Sequence, residues 1–236
     1  MAPPRLETPR DLVRAVLRAR TVEFPLRSLH RVPRAGTLEE VSVRATSHGY
    51  VSELYRFARD LVVVEGSAAG LAALGVHLLA QSVAFEDAAP TRLALAPLPA
   101  DARACLEVFV AAPPGPRPVL RAPRYERTPV PRDPWRVERE LDRPRLGLVV
   151  PGDPEGALGL DRRTAFTVGG TRGALRSLAF LLFALATDRG FEGEVALEGP
   201  EGFDNLATPS SEARLASPYW PWSAYYAAGG GEPAGG

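Results

Sequence analysis

The feature that most constrains this chain is a stretch of sequence that occurs twice. Residues 61–87 and residues 164–192 each read as a short apolar strand, a glycine-containing turn and an apolar helix. Gly66 aligns with Gly170 at an offset of 170 − 66 = 104 positions, and the leucines of the two helices align at the same offset. Such self-similarity indicates two copies of one folding unit. The sequence therefore predicts an α+β protein of two related units, each a small, mostly antiparallel sheet packed on one long apolar helix.

The predicted organisation has five parts. They are an N-terminal helix at residues 1–20, a first α+β unit at 21–112, a Pro/Arg-rich linker at 113–134, a second α+β unit at 135–216, and an aromatic and Gly-rich tail at 217–236. Residues 111–134 contain eight prolines, so no regular structure is expected there. This segment is predicted to be a semi-rigid surface spacer. A ligand for an aromatic groove, or a loose contact for phosphates, is the alternative.

Three helices are predicted from cap residues and apolar spacing. Thr8 is the expected N-cap of the first helix, with Asp11 in its first turn. The two long helices are expected at residues 68–81, capped by Ser67, and at residues 171–186. Because both are apolar on nearly every side, each should be covered by its own sheet and also by the other repeat or a second subunit.

Strand predictions rest on alternating apolar residues. Residues 21–44 contain such an alternation on both sides of a turn signal at Gly36, which predicts a hairpin. In the second unit, Trp135 and Val137 are predicted to lie in a strand that pairs with residues 146–150.

Composition argues against several classes of partner. The formal net charge is +0, so a nucleic acid is not an expected partner. A single cysteine, Cys105, cannot form an internal disulfide, which fits a reducing cytoplasm. The longest apolar run, residues 178–186, is about half of the roughly 20 residues that a membrane span needs. No signal peptide is expected, because the N-terminus has no apolar core.

All 28 basic residues are arginine, and the chain contains no isoleucine. This pattern indicates a bacterium with a GC-rich genome, since lysine and isoleucine use AT-rich codons. Selection against reactive lysine amines is the alternative.

No motif predicts catalysis, a cofactor or a metal site. His30, His48 and His77 have no metal-binding spacing, and Cys105 precedes an apolar strand, where a free cysteine is a small hydrophobic side chain. An enzyme of unknown class remains the third hypothesis for this chain.

A glycine-rich turn leads into the second long helix. Free backbone amides at Gly170 and Thr171, with Arg172 beside them, are able to hold an anion at a helix N-terminus. The turn lacks the lysine and the spacing of a phosphate-binding loop. The earlier copy carries Glu65 at this place, which favours a tight connection with a Ser or Thr cap over an anion site.

Aromatic residues are concentrated near the C-terminus. They are Tyr219, Trp220, Trp222, Tyr225 and Tyr226. Such side chains bury a large area at a small entropic cost, so the segment is either an arm docked on the body or an interface anchor. It is the predicted protein-binding surface, used within a homodimer or towards another protein.

Two family resemblances extend this interpretation. The pattern Gly70-Leu71 with Leu74 and Leu78 returns at residues 174–185, and with the Ser-Glu-containing stretch at residues 209–215 it resembles small bacterial immunity proteins of toxin conflict systems. That resemblance implies a non-catalytic protein that binds and blocks a toxin or another defence component.

The second resemblance is to ubiquitin-like modifiers. The order of hairpin, helix and further strands, the absence of lysine and the terminal Gly235-Gly236 are similar to that family. It implies a β-grasp fold and conjugation through the terminal glycine after adenylation by an activating enzyme.

Overall fold

The computed structural model describes residues 6–52, 55–83, 91–95, 105–110, 124–139, 146–149, 166–170, 172–192, 194–197, 212–216 and 219. Its helices are α1 (Pro9–Arg18), α2 (Leu26–His30), α3 (Ala68–Ser82), α4 (Pro134–Arg139) and α5 (Arg172–Thr187). Its strands are β1 (Thr21–Pro25), β2 (Ala35–Leu38), β3 (Val41–Ser52), β4 (Tyr55–Gly66), β5 (Thr91–Leu95), β6 (Cys105–Val110), β7 (Tyr125–Pro129), β8 (Leu146–Val149), β9 (Phe166–Gly170), β10 (Glu194–Leu197) and β11 (Glu212–Ala216). The predicted α+β class is confirmed.

The first helix begins as its sequence predicts. The Thr8 hydroxyl oxygen accepts a hydrogen bond from the Asp11 backbone N–H at 3.2 Å, and the Thr8 N–H donates to the Asp11 carboxylate at 3.1 Å. This reciprocal capping box satisfies backbone donors that the first turn leaves without an intrahelical acceptor. Leu12 and Val16 are buried on the inner face of α1. The arginines of the outer face are exposed: Arg10, Arg14 and Arg18.

The described strands form three sheets. β1 and β7 make a two-stranded ribbon, and the larger sheets have the orders β10-β11-β4-β3 and β2-β5-β6-β9-β8. The β4–β11, β2–β5 and β6–β9 pairs are parallel, and the other pairs are antiparallel. Each of the two larger sheets thus joins strands from the first half of the chain to strands from the second half.

The predicted absence of regular structure at residues 111–134 is wrong for β7. Tyr125 pairs with Pro25 and Pro129 pairs with Thr21, so β7 is a regular antiparallel partner of β1. Proline is tolerated at the ends of an edge strand, where its missing N–H removes no internal ladder bond. Thr128 of this strand is fully buried.

Two strand predictions are also wrong. β1 does not pair with residues 41–44: α2 follows it directly, and β3 pairs with β4 instead. Trp135 and Val137 lie in helix α4, whose Arg136 N–H donates to the Asp133 carboxylate at 3.0 Å. Asp133 is the N-cap of α4, and Pro134 is its first helical residue. This local signal for a helix overrides the strand-like alternation of apolar residues.

A tight turn joins β4 to α3. Ser67 caps the helix as predicted, because its hydroxyl accepts the Gly70 N–H at 3.1 Å, and its own N–H donates to the Glu40 carbonyl at 2.9 Å. The Ser67 hydroxyl also donates to the Glu40 carboxylate. A Cβ at Gly66 or Gly70 would lie 2.5 Å from the Glu40 carbonyl oxygen, so this close approach requires glycine at both positions.

Helices α3 and α5 pack on each other in the centre of the core. A Cβ added to Gly75 of α3 would lie 2.6 Å from the ring of Phe183 and 3.2 Å from the Ala179 carbonyl oxygen of α5. The missing side chain is therefore what lets the Phe183 ring lie against the α3 backbone. Helix α3 also contacts strands of both larger sheets, namely β4 in one and β2 and β6 in the other.

Among the residues that the structure describes, none of the helices combines the length and the apolar character needed to cross a bilayer.

Candidate functional site

The C-terminal end of α5 anchors the start of the aromatic tail. The Tyr219 hydroxyl donates a hydrogen bond to the Ala186 carbonyl oxygen at 3.0 Å, and its side chain is partly buried. The last carbonyls of a helix have no intrahelical donor, so this bond satisfies one of them. The first residue of the predicted aromatic arm therefore lies on the body of the protein.

The segment between β7 and α4 contacts the same end of α5. The Thr187 hydroxyl lies 3.3 Å from the Pro131 carbonyl oxygen and 2.8 Å from that of Phe183. About three turns earlier, in the N-terminal half of α5, the Arg176 guanidinium lies 3.0 Å from the Glu126 carboxylate of β7. The two contacts fix β7 and the segment after it against α5.

An aromatic pair lies at this junction. Trp135 of α4 meets Phe191 edge to face, with ring centroids 5.4 Å apart and planes at 66°. Phe191 is buried in the turn after α5, whereas Trp135 is 51% exposed. One face of a large rigid aromatic side chain thus remains open to solvent on a packed support.

We call Trp135, Phe191, Thr187 and Tyr219 the α5 C-terminal surface. Of these residues the sequence predicted only Tyr219. Trp135 carries a usable signal, because a tryptophan next to a helix-initiating Asp-Pro pair on a proline-rich segment is an unusual surface residue. The other arm residues lie outside the described part of the chain: Trp220, Trp222, Tyr225 and Tyr226. Gly235 and Gly236 also lie outside it.

The predicted anion-binding turn lies beside strands β6 and β8 and the end of helix α3. Gly170 ends β9 and pairs with both β6 and β8. Arg172 begins α5, and its guanidinium donates to the Ser82 carbonyl oxygen at the end of α3, at 3.4 Å. Thr171 lies outside the described residues. In the described part of the chain, Arg172 therefore joins the ends of the two long helices, and anion binding there stays a prediction.

A second polar feature, which the sequence did not predict, is a cleft between α2 and α3. It measures about 260 Å³ counted out to its open mouth. Its lining residues are Leu29, His30, Val32, Pro33, Arg34, His77, Ala80, Gln81 and Thr91. The Thr91 hydroxyl donates to the Gln81 side-chain oxygen at 2.9 Å inside this cleft. We call it the α2–α3 cleft.

His77 is the most perturbed group of this cleft. Burial removes its imidazole from water and lowers its pKa from 6.5 to about 4, so it is neutral at physiological pH. Its Nδ1 atom is buried and makes no hydrogen bond within the described part of the chain. A buried polar nitrogen without a partner is costly, which makes it a candidate for ligand contact.

His30 and His77 are 47 positions apart in sequence, 77 − 30 = 47, yet both line one cleft because α2 packs on α3. Sequence spacing cannot predict such a pairing. Within the described ranges no group of three or more His, Cys, Asp or Glu side chains is placed to hold a metal ion. Cys105 begins β6 and His48 lies in β3, and their side chains are outside the described part.

Comparisons with known proteins gave no match: no family model, no curated protein and no solved structure is significantly similar to this chain.

Proposed function

We propose that this chain is a non-catalytic, protein-binding protein of the immunity or defence type, acting in the cytoplasm of a bacterium with a GC-rich genome. The observation that carries the proposal is the half-exposed Trp135, supported on buried Phe191 at the end of α5. A rigid aromatic side chain loses little conformational entropy when a partner covers it, which is why tryptophan is enriched among binding hot spots.

The aromatic arm extends the same surface. Tyr219 is held at Ala186, and Thr187, the next residue of α5, contacts the segment that leads into α4. Consecutive Cα atoms are about 3.8 Å apart, so the chain from Tyr219 to Trp222 spans at most roughly 11 Å. The arm and Trp135 therefore start from the same end of α5, and we propose that they form one contact surface.

The architecture in this proposal is a duplication with exchanged strands. One sheet has the order β3-β4-β11-β10, and the other contains β8-β9-β6-β5. The first unit places β3 and β4, which precede α3, in one sheet, and β5 and β6, which follow α3, in the other. The second unit does the reverse: β8 and β9, which precede α5, join β5 and β6, whereas β10 and β11, which follow α5, join β3 and β4. The Val43–Val64 pair corresponds to the Leu148–Val168 pair, at offsets of 148 − 43 = 105 and 168 − 64 = 104. These offsets agree to within one residue with the 104-residue offset between the repeated sequences, which supports two related units.

The decisive experiment compares two exposed aromatic residues. Tagged full-length protein and its Trp135→Ala variant are used to capture proteins from an extract of the cells that make it, and the captured partner is then purified. Truncating a hot-spot tryptophan is expected to weaken binding about 30-fold or more, measured by calorimetry. Tyr125→Ala is the matched control, because Tyr125 is 58% exposed but lies at the far end of β7 from α4.

Sedimentation of the purified protein shows whether the partner is a second copy of this chain or a different protein. A change of oligomeric mass in Trp135→Ala identifies a second copy of the chain as the partner. An immunity function further requires that the captured protein arrests growth when expressed alone and is tolerated when co-expressed with the wild type. Equal binding by the wild type and Trp135→Ala would remove the basis of the proposal.

A further inference from the structure

Three arginines form one row on the exposed side of α1. Arg10, Arg14 and Arg18 follow each other at intervals of four residues, so they lie above one another along about 12 Å of the helix. All three are exposed, because the opposite side of α1 packs on α3 and α5. We call these three residues the arginine row.

The arginine row has little compensation within its own fold. The Arg14 guanidinium lies 3.9 Å from the Asp11 carboxylate, which is already bonded to the N–H and the hydroxyl of Thr8. In the described part of the chain, the side chains of Arg10 and Arg18 make no hydrogen bond or ion pair. Like charges four residues apart destabilise a helix, and local choices that cost stability are expected at functional sites. The row therefore indicates a surface that binds negative charge.

The chain itself contains a complementary segment. Residues 192–204 carry five acidic residues and no basic one: Glu192, Glu194, Glu198, Glu201 and Asp204. We call residues 192–204 the acidic segment. Glu192 is exposed just after the turn that follows α5, and β10, which begins at Glu194, is an edge strand among the described strands. The six residues from Glu198 to Asp204 reach up to about 20 Å when extended, which is enough to span the row.

Two other anionic partners fit the arginine row less well. A helix that binds a bilayer inserts an apolar face, but Leu12 and Val16 of α1 are 0% exposed in the core. Proteins that bind nucleic acid usually have a strongly basic domain, whereas this chain has a formal net charge of +0. A net charge of zero also leaves no long-range repulsion between two copies of the chain, which favours self-association.

We propose that the arginine row of one copy binds the acidic segment of a second copy. Each copy carries one row and one segment, so two copies related by a two-fold axis make the same contact twice. Guanidinium groups bind carboxylates through two parallel hydrogen bonds, which suits arginine to this contact. An exposed ion pair raises affinity only about two- to threefold, so the association is weak and depends on salt.

Sedimentation of the full chain over a range of protein concentrations tests the salt dependence. The protein is expected to exceed the mass of a monomer at low salt. Raising the salt from about 10 mM to about 100 mM shortens the Debye length from about 30 Å to about 10 Å and should weaken the association by about tenfold.

Charge reversal identifies the two sides of the contact. Arg10→Glu/Arg14→Glu should weaken self-association by about tenfold, and so should Glu198→Arg/Glu201→Arg, because either change makes both contacts repulsive. An equal mixture of the two variants should associate as the wild type does, since every row then meets a segment of opposite charge. Acidic residues near the start of α1 suit its dipole, so the first variant should stay folded, which circular dichroism checks.

The matched control is Arg124→Glu/Arg132→Glu, because both residues are exposed and lie outside the row. It should self-associate at about the wild-type strength. Mixed with Glu198→Arg/Glu201→Arg, it reproduces the net charges of the first mixture but leaves one of the two contacts repulsive, so this mixture should associate more weakly.

A monomer at both salt concentrations would contradict the proposal, and so would a mixture of the two charge-reversed variants that associates no better than its components. Trp135→Ala is expected to associate as the wild type does, because the arginine row lies on a different helix from the α5 C-terminal surface. An association that Trp135→Ala removes and Arg10→Glu/Arg14→Glu leaves intact belongs to the α5 C-terminal surface, and the arginine row is then not the contact.

Discussion

At the scale of single residues, His77 gives the fold a defined response to pH. Its pKa is about 4 in the folded chain and near 6.5 when unfolded, so between these values the unfolded state binds more protons. Stability is therefore full above pH 6.5 and falls as pH falls towards 4. The expected loss is about 3 kcal/mol, from 6.5 − 4 = 2.5 and about 1.36 kcal/mol for each pKa unit.

We predict that His77→Gln removes this part of the pH dependence. Denaturant unfolding at a series of pH values between 7.5 and 4, in buffers without carboxylates, measures the effect as the difference between the wild-type and variant slopes. The exposed carboxylates titrate in both proteins and cancel in that difference. Parallel pH profiles for the two proteins would show that the His77 imidazole is not held neutral by burial.

Local signals at single residues are readable from sequence, and contacts across the fold are not. The Thr8–Asp11 capping box and the Ser67 cap depend on residues three positions apart, and both are as predicted. That His30 and His77 line the same cleft depends on how α2 packs on α3, which their spacing in the sequence does not encode.

At the scale of elements, the contact between α3 and α5 depends on one absent side chain. We predict that Gly75→Val destabilises the protein by about 3 kcal/mol, because its side chain would overlap the Phe183 ring and add strain to the core. Thermal and denaturant unfolding measure the loss. Gly36→Val is the matched control, since an added Cβ there meets no atom within 4 Å, and it should be nearly neutral.

A double variant tests whether the ring is the cause. Phe183→Leu alone should cost about 1 to 2 kcal/mol through the volume it removes from the core. Gly75→Val with Phe183→Leu should cost less than the sum of the two single changes by at least about 1 kcal/mol, because the overlap is relieved. If the free-energy costs of the two changes add strictly, the Phe183 ring is not the source of the strain that Gly75→Val causes.

Elements in proline-rich sequence were the hardest to predict. The one proline of β7, Pro129, lies at the end of the strand, where it is tolerated, and the Asp133-Pro134 pair starts α4. Both elements lie in or beside a segment that composition marks as irregular. The wrong hairpin at residues 21–44 has a related cause: the partner of β1 comes from much later in the chain. Alternation identifies a strand but not its neighbour.

At the scale of the whole molecule, the two halves of the chain complete each other's sheets. β4 pairs with β11, β6 pairs with β9, and β1 pairs with β7, so each sheet joins the two halves. The repeat in the sequence predicted two units, but it did not predict which strands pair across the two halves of the chain. The sequence also left open whether each apolar helix is covered by the other repeat or by a second subunit, and the structure packs α3 on α5 within one chain.

We therefore predict that neither half folds alone. Residues 1–112 and residues 113–236, expressed separately, would each expose unpaired strand edges and one face of a long apolar helix, and should aggregate or lack a cooperative unfolding transition. Expressed together, they should co-purify as a one-to-one complex with a single transition, measured by circular dichroism and sedimentation. A cooperative transition of the first fragment by itself would mean that its strands close a sheet without the second half, and the exchanged arrangement would then be wrong.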